Sequence, residues 1–177
     1  MNEGPRYYGK FRGVVVNNVD PEQRGRLLVS VPDVLTTIPS SWAEACLPLA
    51  GPSGQGMGTY FLPPPNTGVW VEFEYGDPSR PIWVGCRWTD DAPVPDMALE
   101  GLPDSPNVVI QTQGQNAIII SDVEGPDGGI ILQSAAGVSL IVNDTGIYIT
   151  CGDASVMISS DSGIVNINDG ALTITAD

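Results

Sequence analysis

The chain has 177 residues, with 7 Lys and Arg against 21 Asp and Glu, and it contains no His, so its net charge is −14. The absence of His excludes His-based catalytic triads and most zinc sites. All seven cations lie in the first 88 residues, and the remaining residues carry 13 unopposed acids. Such a region is unsuited to binding nucleic acid or anionic lipid.

The first ten residues are predicted to form a polar arm. They lack the apolar segment of a secretory signal, so we expect synthesis in the cytoplasm without a signal peptide. No apolar run is long enough to span a membrane as a helix. Cys46, Cys86 and Cys151 are widely spaced, which predicts buried thiols in a reduced compartment, with a Cys46–Cys86 disulfide as the alternative.

Residues 11–88 contain five predicted strands separated by turn residues. The runs 11–19 and 26–32 flank a turn, and a third strand is predicted at 42–48. A glycine-rich loop from Gly51 to Gly58 precedes a hairpin in which apolar and polar residues alternate. Five strands in about 80 residues predict a small barrel, with the OB-fold as the leading candidate.

The hairpin of this region has a predicted register. A turn over residues 76–81 would place Tyr75 opposite Ile82 and Trp70 opposite Arg87, the latter two in cation–π contact. Trp70, Trp83 and Arg87 are then expected on the exposed face of the hairpin.

A change of composition marks the next segment. From residue 89 to residue 106, Pro and Asp replace the alternating pattern, which predicts a stiff acidic connector with neither strand nor helix. The predicted division of the chain is an N-terminal arm at 1–10, an OB-fold domain at 11–88, a connector at 89–106 and a C-terminal region at 107–177.

Eight short apolar runs fill the C-terminal region. They start at residues 108, 117, 130, 138, 147, 156, 164 and 172, and Asp, Asn and Gly occupy the corners between them. Each run presents only two or three apolar side chains on one face, too few to enclose a core within one chain. A single-chain solenoid usually needs longer rungs and polar caps. We therefore predict an intertwined trimeric β-helix, in which three chains each form one wall of a triangular prism.

Twelve apolar side chains in these runs are predicted to point to the trimer axis. They are Ile118, Ile120, Leu140, Val142, Ile147, Ile149, Val156, Ile158, Val165, Ile167, Leu172 and Ile174.

The candidate catalytic and ligand-binding motifs are weak. Residues 54–58 lack the Lys-Ser/Thr that follows the glycines of a P-loop. The acid pairs Glu72/Glu74 and Asp90/Asp91 fall on an exposed face and in a solvated linker, where neither carboxyl would be held neutral for hydrolysis. The acidic corners lack the spacing of calcium-binding β-rolls. We predict no catalytic residue, no cofactor and no metal site.

Two blocks of the sequence carry a resemblance to a known family. The first block comprises Gly13-Val14-Val15, Asn18, Asp20-Pro21, Gly25-Arg26, Val29, Val31-Pro32, Trp42-Ala43 and Pro48-Leu49-Ala50-Gly51. The second comprises Gly56-Met57-Gly58-Thr59-Tyr60-Phe61-Leu62-Pro63, Gly68-Val69-Trp70-Val71-Glu72-Phe73, Gly76-Asp77-Pro78 and Arg80-Pro81-Ile82-Trp83-Val84-Gly85. In order and spacing they resemble the OB domain of central spike proteins from contractile phage tails and related injection systems, including the valine–glycine-repeat spikes of type VI secretion.

The resemblance implies a non-enzymatic, trimeric central spike in a phage tail or phage tail-like particle. Its OB domains would dock on a baseplate hub protein, and its β-helix needle would pierce the target-cell envelope during a transient contact. Hub contact is expected through Gly54 and Gly56 in the glycine loop and through Trp70, Trp83 and Arg87.

Two departures from the family pattern refine this expectation. The connector is too short to hold the lysozyme domain that some members carry, and a chain without His cannot build the iron-binding tip of some short spikes. A separate conical tip protein at the C-terminal end is therefore expected. The alternative function is a trimeric OB-fold module that binds cell-surface polysaccharide and is displayed on a β-helical stalk.

Overall fold

In the computed structural model the chain divides into two compact units, one ending at residue 92 and the other beginning at residue 93. The structure describes residues 4–52, 54–91 and 93–175, and the side chains of residues 173–175 are outside that description. Most of the regular elements of both units are β-strands. None of the helices in these ranges has the length and apolarity that a membrane crossing requires.

The first unit is a five-stranded barrel. Its strands are β1 (Phe11–Asn17), β2 (Leu28–Ser30), β3 (Glu44–Ala45), β4 (Gly68–Phe73) and β5 (Pro81–Arg87), in the order β2-β1-β4-β5-β3. Leu27 and Ala43 exchange backbone hydrogen bonds of 3.1 and 2.7 Å. Because Leu27 precedes β2 and Ala43 precedes β3, this exchange joins the two edges of the sheet. The prediction of an OB-type barrel is confirmed.

The barrel core follows from the alternation along its strands. Every second residue of β4 points inward. A single helical turn, α1 (Pro32–Leu35), follows β2. Pro32 suits the first position of this helix, where its missing N–H would have had no partner. The buried side chains are Val15, Leu27, Val29, Val31, Ala43, Val69, Val71, Phe73 and Trp83.

The register of the β4–β5 hairpin differs from the prediction. A 3₁₀ turn begins at Glu74, so Phe73 pairs with Pro81, and Tyr75 lies in the turn with φ 54°. Trp70 opposes Gly85, and an irregularity follows in which Val84 has no partner. The predicted Tyr75–Ile82 and Trp70–Arg87 pairs were therefore wrong. One extra residue in a strand reverses the faces of all residues beyond it.

The second unit is an antiparallel meander of eight strands, each hydrogen-bonded to its neighbours in sequence. The eight predicted strands are confirmed. They are β6 (Val108–Gln111), β7 (Ala117–Ser121), β8 (Gly129–Gln133), β9 (Ser139–Asn143), β10 (Gly146–Cys151), β11 (Ala154–Ser159), β12 (Ile164–Ile167) and β13 (Leu172–Thr175).

Two local predictions were wrong. The connector contains one helical turn, α2 (Asp96–Leu99), which is too short for any hydrophobic period to reveal. Cys46, Cys86 and Cys151 are free and exposed rather than buried. Each lies at or beside the end of a strand, where neighbouring strands cover a side chain less than they do in the middle of a sheet.

Candidate trimer interface and docking surface

Two columns of apolar side chains run along one face of the eight-stranded sheet. Directly opposed residues of antiparallel strands share a face, so the pairing of Ile149 with Leu140 and with Val156 aligns all three. We call this surface the two-column face. One column consists of Val108, Ile120, Ile130, Val142, Ile147, Ile158 and Val165, continued by position 174, and the other of Ile110, Ile118, Leu132, Leu140, Ile149, Val156, Ile167 and Leu172.

Within one chain the two-column face is largely open. Val108 is 60% exposed, Ile130 52% and Leu172 53%. No polar residue interrupts either column across the eight strands. A contiguous apolar surface of this size is rare on a soluble monomer and marks an interface.

Eleven of the twelve predicted axis residues lie on this face. The side chain of the twelfth, Ile174, is outside the described residues, although its backbone pairs with Val165. The sequence reasoning missed Val108, Ile110, Ile130 and Leu132, which belong to the same columns. Period-two alternation within their own runs was the signal that could have found them. That the face points to a trimer axis remains a prediction.

The opposite face of the sheet has a different character. Its central column is apolar or aromatic from β6 to β11 and then reaches Asn166 in β12; Ile119 in this column is 4% exposed. Its flanking positions include Gln111, Gln133 and Thr150. This mixture suits contact with water far better than the two-column face does.

Asparagine side chains hold two corners of the meander. The Asn143 Oδ1 atom accepts hydrogen bonds from the backbone N–H groups of Thr145 at 3.0 Å and Gly146 at 3.2 Å. The Asn168 Oδ1 atom accepts one from the Ser155 N–H at 3.0 Å, and Asn168 itself has φ 48°. The Asn143 amide thus satisfies its own turn, whereas the Asn168 amide ties its turn to the start of β11. Among the described residues, no group of three or more His, Cys, Asp or Glu is placed to hold a metal ion.

A buried ion pair holds the β1–β2 turn of the barrel. The Arg26 Nη2 atom lies 2.7 Å from Asp20 Oδ1 and 3.1 Å from Glu22 Oε1. The Asp20 carboxylate also accepts backbone N–H bonds from Glu22, Arg24 and Arg26 at 3.0, 2.8 and 3.3 Å. The Arg26 guanidinium lies over the Trp42 ring, 5.7 Å from its centroid.

These contacts shift the pKa values of two side chains in the turn, Asp20 and Arg26. The hydrogen bond from Arg26 holds the pKa of Asp20 far below its usual range, and the backbone N–H donors act in the same direction against the effect of burial. The Asp20 carboxylate in turn raises the pKa of Arg26. At a second turn, the N–H and hydroxyl of Ser79 lower the pKa of Asp77.

The predicted hub residues are not all accessible. Gly54 and Gly56 are exposed in the glycine loop, and Trp70 and Arg87 are half-buried on the outside of the barrel. Trp83 is only 4% exposed, and its Nε1–H donates to the Gly25 carbonyl oxygen at 3.0 Å. The expectation that Trp83 lies on an exposed face was wrong, because the irregularity at Val84 turns it into the core.

The tryptophans do not form a shared stacking platform for sugars. Trp83 is in the core, the Trp42 ring is covered by Arg26, and only Trp88 is strongly exposed, at 64%. The arrangement gives no support to the polysaccharide-binding alternative.

A barrel followed by a sheet with an uncovered apolar face defines a two-unit, all-β protein that oligomerises through its second unit. A family model described as "Type VI secretion system/phage-baseplate injector OB domain" matches residues 11–88. A second, described as "Phage baseplate V C-terminal trimerisation domain", matches residues 107–173. The chain belongs to this family of phage baseplate spike proteins, as its resemblance implied, and is a homotrimeric structural component of the baseplate. A comparison with curated proteins gave no significant match.

Proposed function

We propose that three copies form the central spike of a contractile injection particle, with OB domains seated on a hub protein and a β-helical needle that pierces the target envelope. The observation that carries the proposal is the two-column face. It is apolar over all eight strands, and three such faces turned toward one axis would cover one another.

The energetics favour this assembly. Burial of a half-exposed Ile, Leu or Val contributes about 1 kcal/mol. About fifteen described side chains on the two-column face therefore contribute on the order of 15 kcal/mol per chain. Association costs roughly 4–15 kcal/mol in lost freedom. Burial of the two-column face is therefore large enough to offset the cost of association.

The needle would act as a passive, rigid punch. Eight strands stacked at about 4.8 Å give a shaft on the order of 35–40 Å long. Axial load would be shared by the hydrogen-bond ladders of three chains, and bending would require many bonds to break together. The 13 acids after residue 88, with no opposing cation, would keep the shaft from adhering to phosphate-bearing surfaces.

Each segment of the chain has a role in this proposal, and two of them contact other proteins of the particle. The segments 1–10, 11–88, 89–106 and 107–177 serve as arm, docking domain, connector and needle. The loop containing Gly54 and Gly56, together with Trp70 and Arg87, contacts the hub, and a separate conical tip protein covers the C-terminal end. The spike is made in the cytoplasm, contacts the target envelope only transiently, binds no nucleic acid, cofactor or metal, and has no catalytic activity.

Deletion of the gene for this protein in the strain that produces the particle tests the proposal. We expect assembly to fail before any contact with a target, and a plasmid copy to restore complete tails. The purified trimer should not degrade peptidoglycan. Normal extended tails in the deletion strain, muralytic activity in the trimer, or saturable binding in a glycan screen would each contradict it.

A further inference from the structure

Most cations of the barrel are already engaged. The protein has seven Lys and Arg. Five of these have a partner in the described chain: Lys10 with Glu72 at 2.6 Å, Arg24 with Glu22 and Glu44 at 3.2 and 3.1 Å, Arg26 with Asp20 and Glu22, Arg80 with Glu74 at 2.6 Å, and Arg6 with the Tyr75 carbonyl oxygen at 3.4 Å. Arg12 and Arg87 make no ion pair with any residue that the structure describes.

The two remaining arginines flank the same tryptophan. Arg12 on β1 is directly opposite Trp70 on β4. Arg87 on β5 is opposite Gly68, which lies two residues from Trp70 along β4. Opposed residues and residues two apart share a face of a sheet, so all three side chains lie on the outer face of the barrel.

Two glycines keep this surface open. A Cβ atom at Gly68 would lie 3.0 Å from Cγ of Arg87, so the arginine stem lies against β4 where a larger residue would push it away. Gly85 is opposite Trp70, and a Cβ atom there would meet nothing within 4 Å. The β5 side of the Trp70 ring is therefore not covered by the strand beside it.

The chemistry of the surface defines its partner. A guanidinium group binds a carboxylate through paired N–H donors, and an indole ring packs against the aliphatic or planar part of the same partner. A polyanion such as nucleic acid is a poor fit, because each chain carries a net charge of −14.

We infer that Arg12, Trp70 and Arg87 form a carboxylate-binding surface that receives an acidic segment of the hub protein. The inference rests on the proposed docking of the spike on a hub, and it assigns the side chains and the charge of that contact. Gly54 and Gly56 are not required for it.

The test is binding of the full-length trimer to the purified hub protein of the same particle, measured by interferometry from 50 to 500 mM NaCl. The variant R12Q/R87Q removes both unpaired charges. The matched control R24Q/R80Q removes two charges from arginines that are each 54% exposed and already paired within the chain. A third variant, W70A, removes the ring alone.

We expect R12Q/R87Q to weaken hub binding at least tenfold at low salt and to flatten its salt dependence. W70A should weaken binding several-fold with the salt dependence kept, and the control should stay within twofold of the wild type. If the wild-type trimer bound the hub and R12Q/R87Q bound it equally well, the inference would be overturned, but the proposal that the spike docks on a hub would stand.

No binding by the wild-type trimer would instead overturn hub docking itself. Dissociation of the R12Q/R87Q trimer, measured by light scattering, would show that a second copy of this chain occupies the surface, which would also overturn the inference. If R12Q/R87Q lost binding to a labelled dT oligonucleotide as strongly as it lost binding to the hub, the surface would be assigned to phosphate rather than carboxylate, which would overturn the inference.

Discussion

Arg26 and Asp20 form an ion pair that is almost wholly withdrawn from water, with side chains 12% and 2% exposed and a separation of 2.7 Å. The pair closes the turn between β1 and β2, and Leu27 and Val29, which follow Arg26 along the chain, lie in the barrel core. Removing one partner leaves the other charge buried without compensation, which is far more costly than losing an exposed pair.

Asp20→Asn should therefore destabilise the barrel and change its response to acid. The pKa of Asp20 is lower in the folded chain than the usual value of about 3.9. The ionised carboxylate therefore makes its full contribution to the free energy of unfolding above about pH 5, and this contribution falls as the pH drops toward the folded pKa. We expect a Tm about 5–10 °C below the wild type at pH 7 and a smaller difference at pH 3. Thermal unfolding at both pH values measures this.

Asp33→Asn provides the control for this experiment, since Asp33 is exposed in α1. It should leave the Tm within a degree or two of the wild type at either pH. A constant difference between wild type and Asp20→Asn from pH 7 to pH 3 would contradict the linkage.

A second expectation concerns the close approach of β10 and β11. Gly146 has φ 152°, and a Cβ atom there would lie 2.1 Å from the Ile158 carbonyl oxygen. Gly146→Ala must therefore separate the two strands and break ladder hydrogen bonds, so we expect little folded trimer. Gly152→Ala is the matched control, because a Cβ atom at Gly152 meets nothing within 4 Å and only the left-handed φ of 59° opposes it. That penalty is about 1 kcal/mol.

The yield and Tm of the two glycine variants, measured on full-length protein, check this expectation. Equal behaviour of Gly146→Ala and Gly152→Ala would show that the strand spacing is not the limiting feature.

The strands of the second unit could be predicted because their ends carry turn chemistry. Asn143 caps one corner with two hydrogen bonds, and Asn168 adopts the positive φ that favours Asn and Gly. The columns of the two-column face follow from the same alternation, which is why eleven of the named side chains could be assigned to one face from sequence.

The barrel hairpin could not be predicted in the same way. The unpaired Val84 leaves no mark in composition, yet it moves Trp83 from the expected outer face to the core and removes the Trp70–Arg87 pair. Trp70 and Arg87 were named from the sequence, but Arg12 was missed, because its place beside them depends on the pairing of β1 with β4 and on the register of β4 with β5. Neither can be read from one strand alone.

Charge repulsion should slow the assembly of the needle. Each chain brings 13 acids and no cation after residue 88, so three chains bring 39 carboxylates together. Salt screens this repulsion, with a Debye length of about 10 Å at 0.1 M. We expect trimer formation from refolded chains to accelerate several-fold between 20 and 300 mM NaCl, measured by stopped-flow light scattering. Assembly at a rate independent of salt would count against the packing of three acidic chains side by side.

Ile149→Asp tests the orientation of the two-column face. Ile149 is 45% exposed in one chain and is flanked by Leu140 and Val156 in its column. If this face surrounds a three-fold axis, the substitution places three like charges at one height in an apolar interior. Each uncompensated buried charge costs several kcal/mol, so we expect loss of the trimer rather than partial destabilisation.

Ser155→Asp is the matched control, because Ser155 pairs with Thr150 and lies on the opposite face of the same two strands. Size-exclusion chromatography with light scattering should give a trimer for Ser155→Asp and monomer or aggregate for Ile149→Asp. A heat-resistant trimer from Ile149→Asp, with the trimer lost in Ser155→Asp, would mean that the sheet turns its other face to the axis. The central apolar column that includes Ile119 would then form the needle interior, and the two-column face would require another partner to cover it.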